Sequence, residues 1–185
     1  LARPDSAHIL IVGAGTVARS LFEAYSSLFP KAHFTVWNRT EARARNLADA
    51  TGINVATDLE TAVAAADIIT SATMTTEPVL RGDWFRPGQH IDLIGAYRPD
   101  MREVDDTALQ RARIFVDSFD TTIGHLGEIE IPLKSGAIAR PDLVADYYSL
   151  DTFQRAPEDI TLFKNGGGAH LDLMTSRYIL ERWQA

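Results

Sequence analysis

The sequence contains no cysteine, which excludes disulfide staples and thiolate chemistry and fits a reducing, cytoplasmic setting. No apolar run is long enough to span a bilayer, and the opening LARPDSAH lacks the charged-then-apolar order of a signal peptide. A cytoplasmic protein with no membrane partner is therefore expected. Internal repeats and low-complexity tracts are also missing, which sets aside solenoids and disordered arrays. Basic residues are in the minority, 18 against 25 acidic ones, for a formal charge of -7. A nucleic-acid binder needs a basic face to displace counterions, so no nucleic-acid partner is expected. One small basic group does exist, at Arg39, Arg43 and Arg45. It suits a small anion rather than a long polyanion.

What is present is a chain of 185 residues, 45% hydrophobic, which is enough to bury a real core. Short apolar segments alternate with helical ones. HILIV (8–12) reads as a buried strand, and residues 16–28 as a helix ending before Pro30. HFTVW (33–37) is a second strand, and Glu41 to Ala50 a helix stopped by Gly52. INVAT (53–57) is a weak strand, followed by an alanine-rich helix at 59–66. DIITSA (67–72), QHIDLIGA (89–96) and RIFVD (113–117) complete the strands, with a helix at Asp106 to Arg111 before the last. This alternation predicts an α/β fold: a doubly wound, Rossmann-type parallel sheet with a C-terminal helical extension. Residues 1–125 are expected to form this Rossmann-type domain.

After Asp120 the pattern loosens, and residues 126–185 read as a loop-rich segment plus a C-terminal helix. Within it the sequence predicts a helix around Leu143 to Phe153, a strand at ITLFK (160–164), and a last helix from Ala169 to Trp183. That last helix carries Leu171, Leu173, Met174, Tyr178, Ile179, Leu180 and Trp183, too many apolar positions for one narrow stripe. Either it is well buried, or it packs against a second domain or subunit outside this chain.

The phosphate-binding signal is Gly13-x-Gly15-x-x-Ala18, placed directly after the first strand and opening the first helix. Gly13 permits a tight turn, Gly15 lets the backbone approach a pyrophosphate, and Ala18 lets the helix pack closely on the sheet. The amides of Ala14, Gly15, Thr16 and Val17, with the positive end of the helix dipole, then suit phosphate. The bland alternative is an ordinary strand-to-helix turn.

The second strand ends Trp37-Asn38-Arg39-Thr40. NAD-specific domains place an acid there to hold the ribose hydroxyls, and that acid would repel the 2′-phosphate of NADP. No acid is present. Arg39 can pair with the phosphate, Asn38 and Thr40 can donate to it, and Arg43 lies one helical turn onward. The cofactor expected is NADP. The competing reading has Asn38 or Thr40 capping the next helix while the arginines face water.

WNRT followed by a helix is shared by shikimate dehydrogenases and glutamyl-tRNA reductases. The segments ADIITSATMTTEPVLRGDWFRPGQHIDLIGAYRPDMREVDD and ITLFKNGGGAHLD are more specific, and they resemble the ornithine cyclodeaminase/mu-crystallin family. The resemblance runs from His8 to the C-terminus. It implies an NADP-dependent oxidoreductase that reduces imino acids of ketimine or Δ1-pyrroline-2-carboxylate type. Its alternatives within the family are a cyclodeaminase with tightly bound NAD and a non-catalytic, NADPH-dependent ligand-binding protein. Family members carry a further N-terminal domain that binds the substrate carboxylate and forms a homodimer, and this chain starts almost at the first strand. The resemblance therefore implies that this domain is missing here. Where the cyclodeaminase pattern has an aspartate, this sequence has Tyr97, and a phenol cannot serve that acid–base role at neutral pH. Reduction therefore ranks above cyclodeamination.

The resemblance also places Ala72, Thr73, Met74 and Ala96, at the ends of the fourth and fifth strands, beside the nicotinamide half. Lys164, before three glycines, is either near the cofactor or a solvated strand-end lysine. His125 reads as an incidental loop histidine. Glu103, Asp105 and Asp106 read as an acidic cluster at a helix N-terminus, and no metal site is expected.

Overall fold

The computed structural model describes residues 1–184. They form one eight-stranded, wholly parallel sheet. Its strands are β1 (His8–Val12), β2 (His33–Trp37), β3 (Asn54–Val55), β4 (Ile68–Ser71), β5 (His90–Leu93), β6 (Arg113–Val116), β7 (Leu143–Ala145) and β8 (Thr161–Lys164). The order across the sheet is β3-β2-β1-β4-β5-β8-β6-β7. This is the doubly wound arrangement of a Rossmann-type sheet, with β8 inserted between β5 and β6. The helices are α1 (Thr16–Leu28), α2 (Glu41–Thr51), α3 (Leu59–Ala65), α4 (Asp106–Arg111), α5 (Phe119–Thr122), α6 (Gly127–Ser135) and α7 (Ala169–Gln184).

Strand alternation explains why both faces are covered. In β1, Leu10 and Val12 enter one core with Ile69, Leu93 and Leu109, while Ile9 and Ile11 enter the other with Ala18, Val36 and Leu47. Every residue of β1 after His8 is buried, as parallel pairing with a helix layer on each face requires. Each such side chain contributes roughly 1.5–3 kcal/mol by leaving water. Beyond β5 the α1 side of the sheet is covered by chain following β7: Phe153 packs edge-on to Phe115 at 4.7 Å, and Tyr147 on Phe163 at 5.2 Å.

Three expectations are corrected. The helix expected over Leu143 to Phe153 is instead β7, followed by a single tight turn at Leu150–Thr152. Pairing of β7 with β6 overrides the local periodicity there. The stretch after Asp120 is far less loop-rich than the glycines and prolines suggested, since it holds α5, α6 and two strands of the same sheet. Finally, α7 is not a buried helix. Leu173, Met174, Tyr178, Ile179, Leu180 and Trp183 are all exposed, and none of its residues is buried. Its apolar surplus is therefore left uncovered by the described residues.

Candidate functional site

A cleft of about 260 Å³ opens where the strands end, lined by the turn Gly13, Ala14 and Gly15, by Trp37, Asn38, Arg39, Thr40 and Arg43, and by Ala72, Thr73 and Met74. Ten of the residues singled out from the sequence thus meet in one place. Thr16 and Val17 open α1 beside it and are exposed. Ala96 and Lys164 are buried behind it. A larger hollow of about 840 Å³, around Leu1, Phe153 and Arg155, shares no residue with the glycine turn.

The two glycines of the turn answer to different demands. Gly13 has φ +110°, and a Cβ there would meet the carbonyl oxygen of Ala72 at 2.8 Å, so the fold itself requires glycine. Its amide donates to the Trp37 carbonyl at 2.9 Å, tying the ends of β1 and β2 together. Gly15 has φ -92°, which any residue adopts, and a Cβ there would meet nothing within 4 Å. The protein therefore makes no demand for glycine at 15. Its backbone lies open to the cleft. α1 begins with no capping side chain and no acid in its first turn, which leaves its positive end facing the cleft unopposed.

At the end of β2, Thr40 stands at the N-cap position of α2, but its side chain makes no capping bond. Asn38 donates to the Thr40 carbonyl at 2.9 Å. The reading in which these two merely cap the helix is thus not what the structure shows. Arg45 is engaged by Glu41 across one turn, whereas Arg39 and Arg43 are exposed and carry no ion pair among the described residues. These two guanidiniums are available to an anion in the cleft.

The floor under Ala72 to Met74 depends on a residue whose role the sequence concealed. Glu103 is wholly buried. Its Oε1 accepts from Ser71 Oγ at 2.6 Å and from both the amide and Oγ1 of Thr73 at 2.8 Å. Its Oε2 accepts from the amides of Gly95 at 2.7 Å and Ala96 at 3.1 Å. Reading it with Asp105 and Asp106 as a helix-dipole cluster is therefore wrong. Asp105 caps α4, accepting from the Ala108 amide at 2.9 Å, while Glu103 points the other way, into the sheet ends. No signal in the sequence showed its partners, which arrive from the ends of β4 and β5.

Below Glu103 lies a second buried carboxylate. Glu128, near the start of α6, accepts from the amides of Glu103 at 2.7 Å and Val104 at 3.1 Å. Burial and the neighbouring Glu103 charge push its pKa up to about 7. Lys164 supplies the cation of this cluster. It is wholly buried, not solvated, and its Nζ donates to the Leu93 carbonyl at 3.2 Å. Burial lowers its pKa, while Glu103, Glu128, Asp92 and Asp117 act to raise it. His125 is exposed in its loop.

Fold and cleft together define a Rossmann-type nucleotide-binding architecture. The model of the ornithine cyclodeaminase/mu-crystallin family matches residues 1–185, and the chain belongs to that family. It is 50% identical to the Δ1-pyrroline-2-carboxylate reductase of Paracoccus denitrificans over 97% of this chain and 60% of that one. It is 34% identical to the rat ketimine reductase mu-crystallin over 98% of this chain and 57% of that one. The structure of Thermococcus litoralis Δ1-pyrroline-2-carboxylate reductase in complex with NADH and L-proline superposes with a TM-score of 0.83 at 29% identity, over 90% of this chain and 55% of that one. An archaeal alanine dehydrogenase dimer with bound NAD superposes with a TM-score of 0.89 at 28% identity, over 98% of this chain and 58% of that one. The chain spans no more than about 60% of the length of these relatives.

Proposed function

We propose that this chain is the NADP(H)-binding part of an oxidoreductase that reduces imino acids, of ketimine or Δ1-pyrroline-2-carboxylate type, to amino acids. The observation that carries the reading is Gly15, a glycine the fold does not need, at an uncapped helix start whose cleft also holds Arg39 and Arg43. The names of the 50% and 34% identical relatives support the reaction class.

In this reading the first turn of α1 holds the pyrophosphate through its amides, with Gly13, Ala14, Gly15, Thr16 and Val17 shaping the approach. Arg39 and Arg43 hold the 2′-phosphate, assisted by Asn38 and Thr40. The preference for the phosphorylated dinucleotide rests on these residues and on the missing acid at the end of β2. Ala72, Thr73, Met74 and the Ala96 backbone form the floor of the nicotinamide half. The bound nicotinamide supplies hydride for the C=N carbon, while the protein supplies orientation. The groups that clamp the substrate carboxylate belong, in this reading, to the rest of the longer protein. The exposed side of α7 packs there too, in a cytoplasmic homodimer.

The test uses the full-length protein with Δ1-pyrroline-2-carboxylate and NADPH, following the absorbance of the reduced cofactor. Oxidation of NADPH that depends on the imino acid is the expected result. No turnover with any cyclic or linear imino acid removes the reductase assignment.

A further inference from the structure

Five donors converge on the Glu103 carboxylate, three from the end of β4 and two from the chain leaving β5. A carboxylate is the one side chain that offers only acceptors on both oxygens, so all five are satisfied at once. Its buried charge is costly unless it is hydrogen-bonded this completely. The two strand ends it joins are already in close register. A Cβ on Gly95 would meet the Thr73 carbonyl oxygen at 2.0 Å and the Thr73 nitrogen at 2.3 Å. Displacing one end therefore displaces the other. Glu103 itself is held from below, where Glu128 accepts its amide.

We propose that Glu103 is a positioning residue for the nicotinamide half of the ligand, acting by clasping the ends of β4 and β5 into one rigid floor. The inference rests on the dinucleotide reading above and adds a division of labour to it. The adenosine end is held by the α1 turn and the arginines after β2. The nicotinamide end is held by a floor whose geometry one buried carboxylate sets.

The division can be tested on the chain itself by titrating NADPH against adenosine 2′,5′-bisphosphate, which carries only the adenine half. NADH and AMP are run beside them, so the choice between dinucleotides is read separately. Glu103→Gln replaces one acceptor by a donor aimed at N–H groups, releasing one strand end. The dinucleotide must then reorganise that end, and it should bind about tenfold more weakly, while the half-ligand should bind within about twofold of wild type. Ser71→Ala removes one contact to Glu103 from a residue that does not line the cleft, and leaves the charge in place. It should show the same selective loss on a smaller scale, about threefold, in a protein that folds even if the glutamine variant does not. Equal losses for whole and half ligand, or an unchanged dinucleotide affinity in both variants, overturn the proposal. A wild-type chain that binds neither ligand refutes the dinucleotide reading itself, and this inference with it.

Discussion

The raised pKa of Glu128 makes stability depend on pH in an unusual direction. In the unfolded chain its carboxyl titrates near the ordinary value of 4.5, and in the folded protein at about 7. Between those values the folded state holds a proton that the unfolded state has lost, so stability falls as pH rises through this window. At 1.36 kcal/mol per unit, going from about pH 5 to about pH 8 should cost roughly 2–3 kcal/mol through this one group. Other groups titrate nearby. His90, held neutral by burial with its pKa lowered to about 3, makes stability rise with pH as far as the unfolded value of 6.5. The two effects overlap at the acid end, so a wild-type profile alone decides nothing. The informative quantity is the difference between wild type and Glu128→Gln at each pH, because the His90 contribution cancels in it. Urea unfolding followed by tryptophan fluorescence supplies the free energies. Glutamine keeps one acceptor for the two backbone amides, so the variant starts out less stable in acid. It should close that gap by about 2–3 kcal/mol by pH 8. Parallel curves for the two proteins would show that Glu128 does not carry the raised pKa, and that the buried cluster is balanced in another way.

Three further outcomes are expected. Arg39→Ala should weaken NADPH by about 1.5–3 kcal/mol and spare NADH, read by calorimetric titration, and equal losses would mean that Arg39 serves only the fold. Gly13→Ala, at φ +110° against the Ala72 carbonyl, should cost stability by roughly 1–3 kcal/mol, whereas Gly15→Ala should leave the melting temperature unchanged and reduce dinucleotide affinity. A melting temperature lowered by both substitutions would remove the distinction drawn between the two glycines. Deleting α7, none of whose residues is buried, should change unfolding free energy by less than about 0.5 kcal/mol, and a large loss would mean that the helix belongs to this core after all.

The doubly wound half of the molecule was legible because local and global signals agree there. Each of β1, β2, β4, β5 and β6 is an apolar run bounded by turn residues, and each helix before β6 follows at the spacing a parallel crossover needs. Seven cleft residues were legible for the same reason, since the glycine turn and the stretch from Asn38 to Arg43 are each nearly contiguous in sequence, while Ala72, Thr73 and Met74 were placed by their strand end and by resemblance. What stayed hidden was non-local. The three residues Leu143–Ala145 form a strand because β6 offers them an edge, and a run that short carries no period of its own. Lys164 looks like a strand-end cation until β8 is known to lie between β5 and β6, which buries it and brings it under the charge of carboxylates from other elements. Glu103 stood beside two acids that do govern a helix start, and its neighbours in sequence suggested the wrong job.

The inserted strand also explains why charge is buried at this end of the sheet. A Rossmann-type sheet needs only backbone amides and small residues where its strands end. Here β8 arrives between β5 and β6 and must turn out again through Gly166, Gly167 and Gly168. That turn is fixed by another buried carboxylate, Asp117, which accepts from the Gly168 amide at 3.2 Å and from Thr122 Oγ1 at 3.1 Å. Asp117 and Glu103 thus do one job on opposite sides of β8, each tying separate strand ends by accepting their donors. Two such anions, with Glu128 beneath, cannot share a dry space without a cation. Lys164 is that cation, and it comes from the strand whose insertion created the need. Replacing Lys164 by methionine should therefore do more than leave its contact to the Leu93 carbonyl unmade. It removes a positive charge that acts on Glu103, Glu128, Asp92 and Asp117, a destabilisation that shrinks in acid as Glu128 takes up a proton. A loss that stays the same from acid to neutral pH, measured by the same urea titration, would separate the lysine from the carboxylates it is argued to balance.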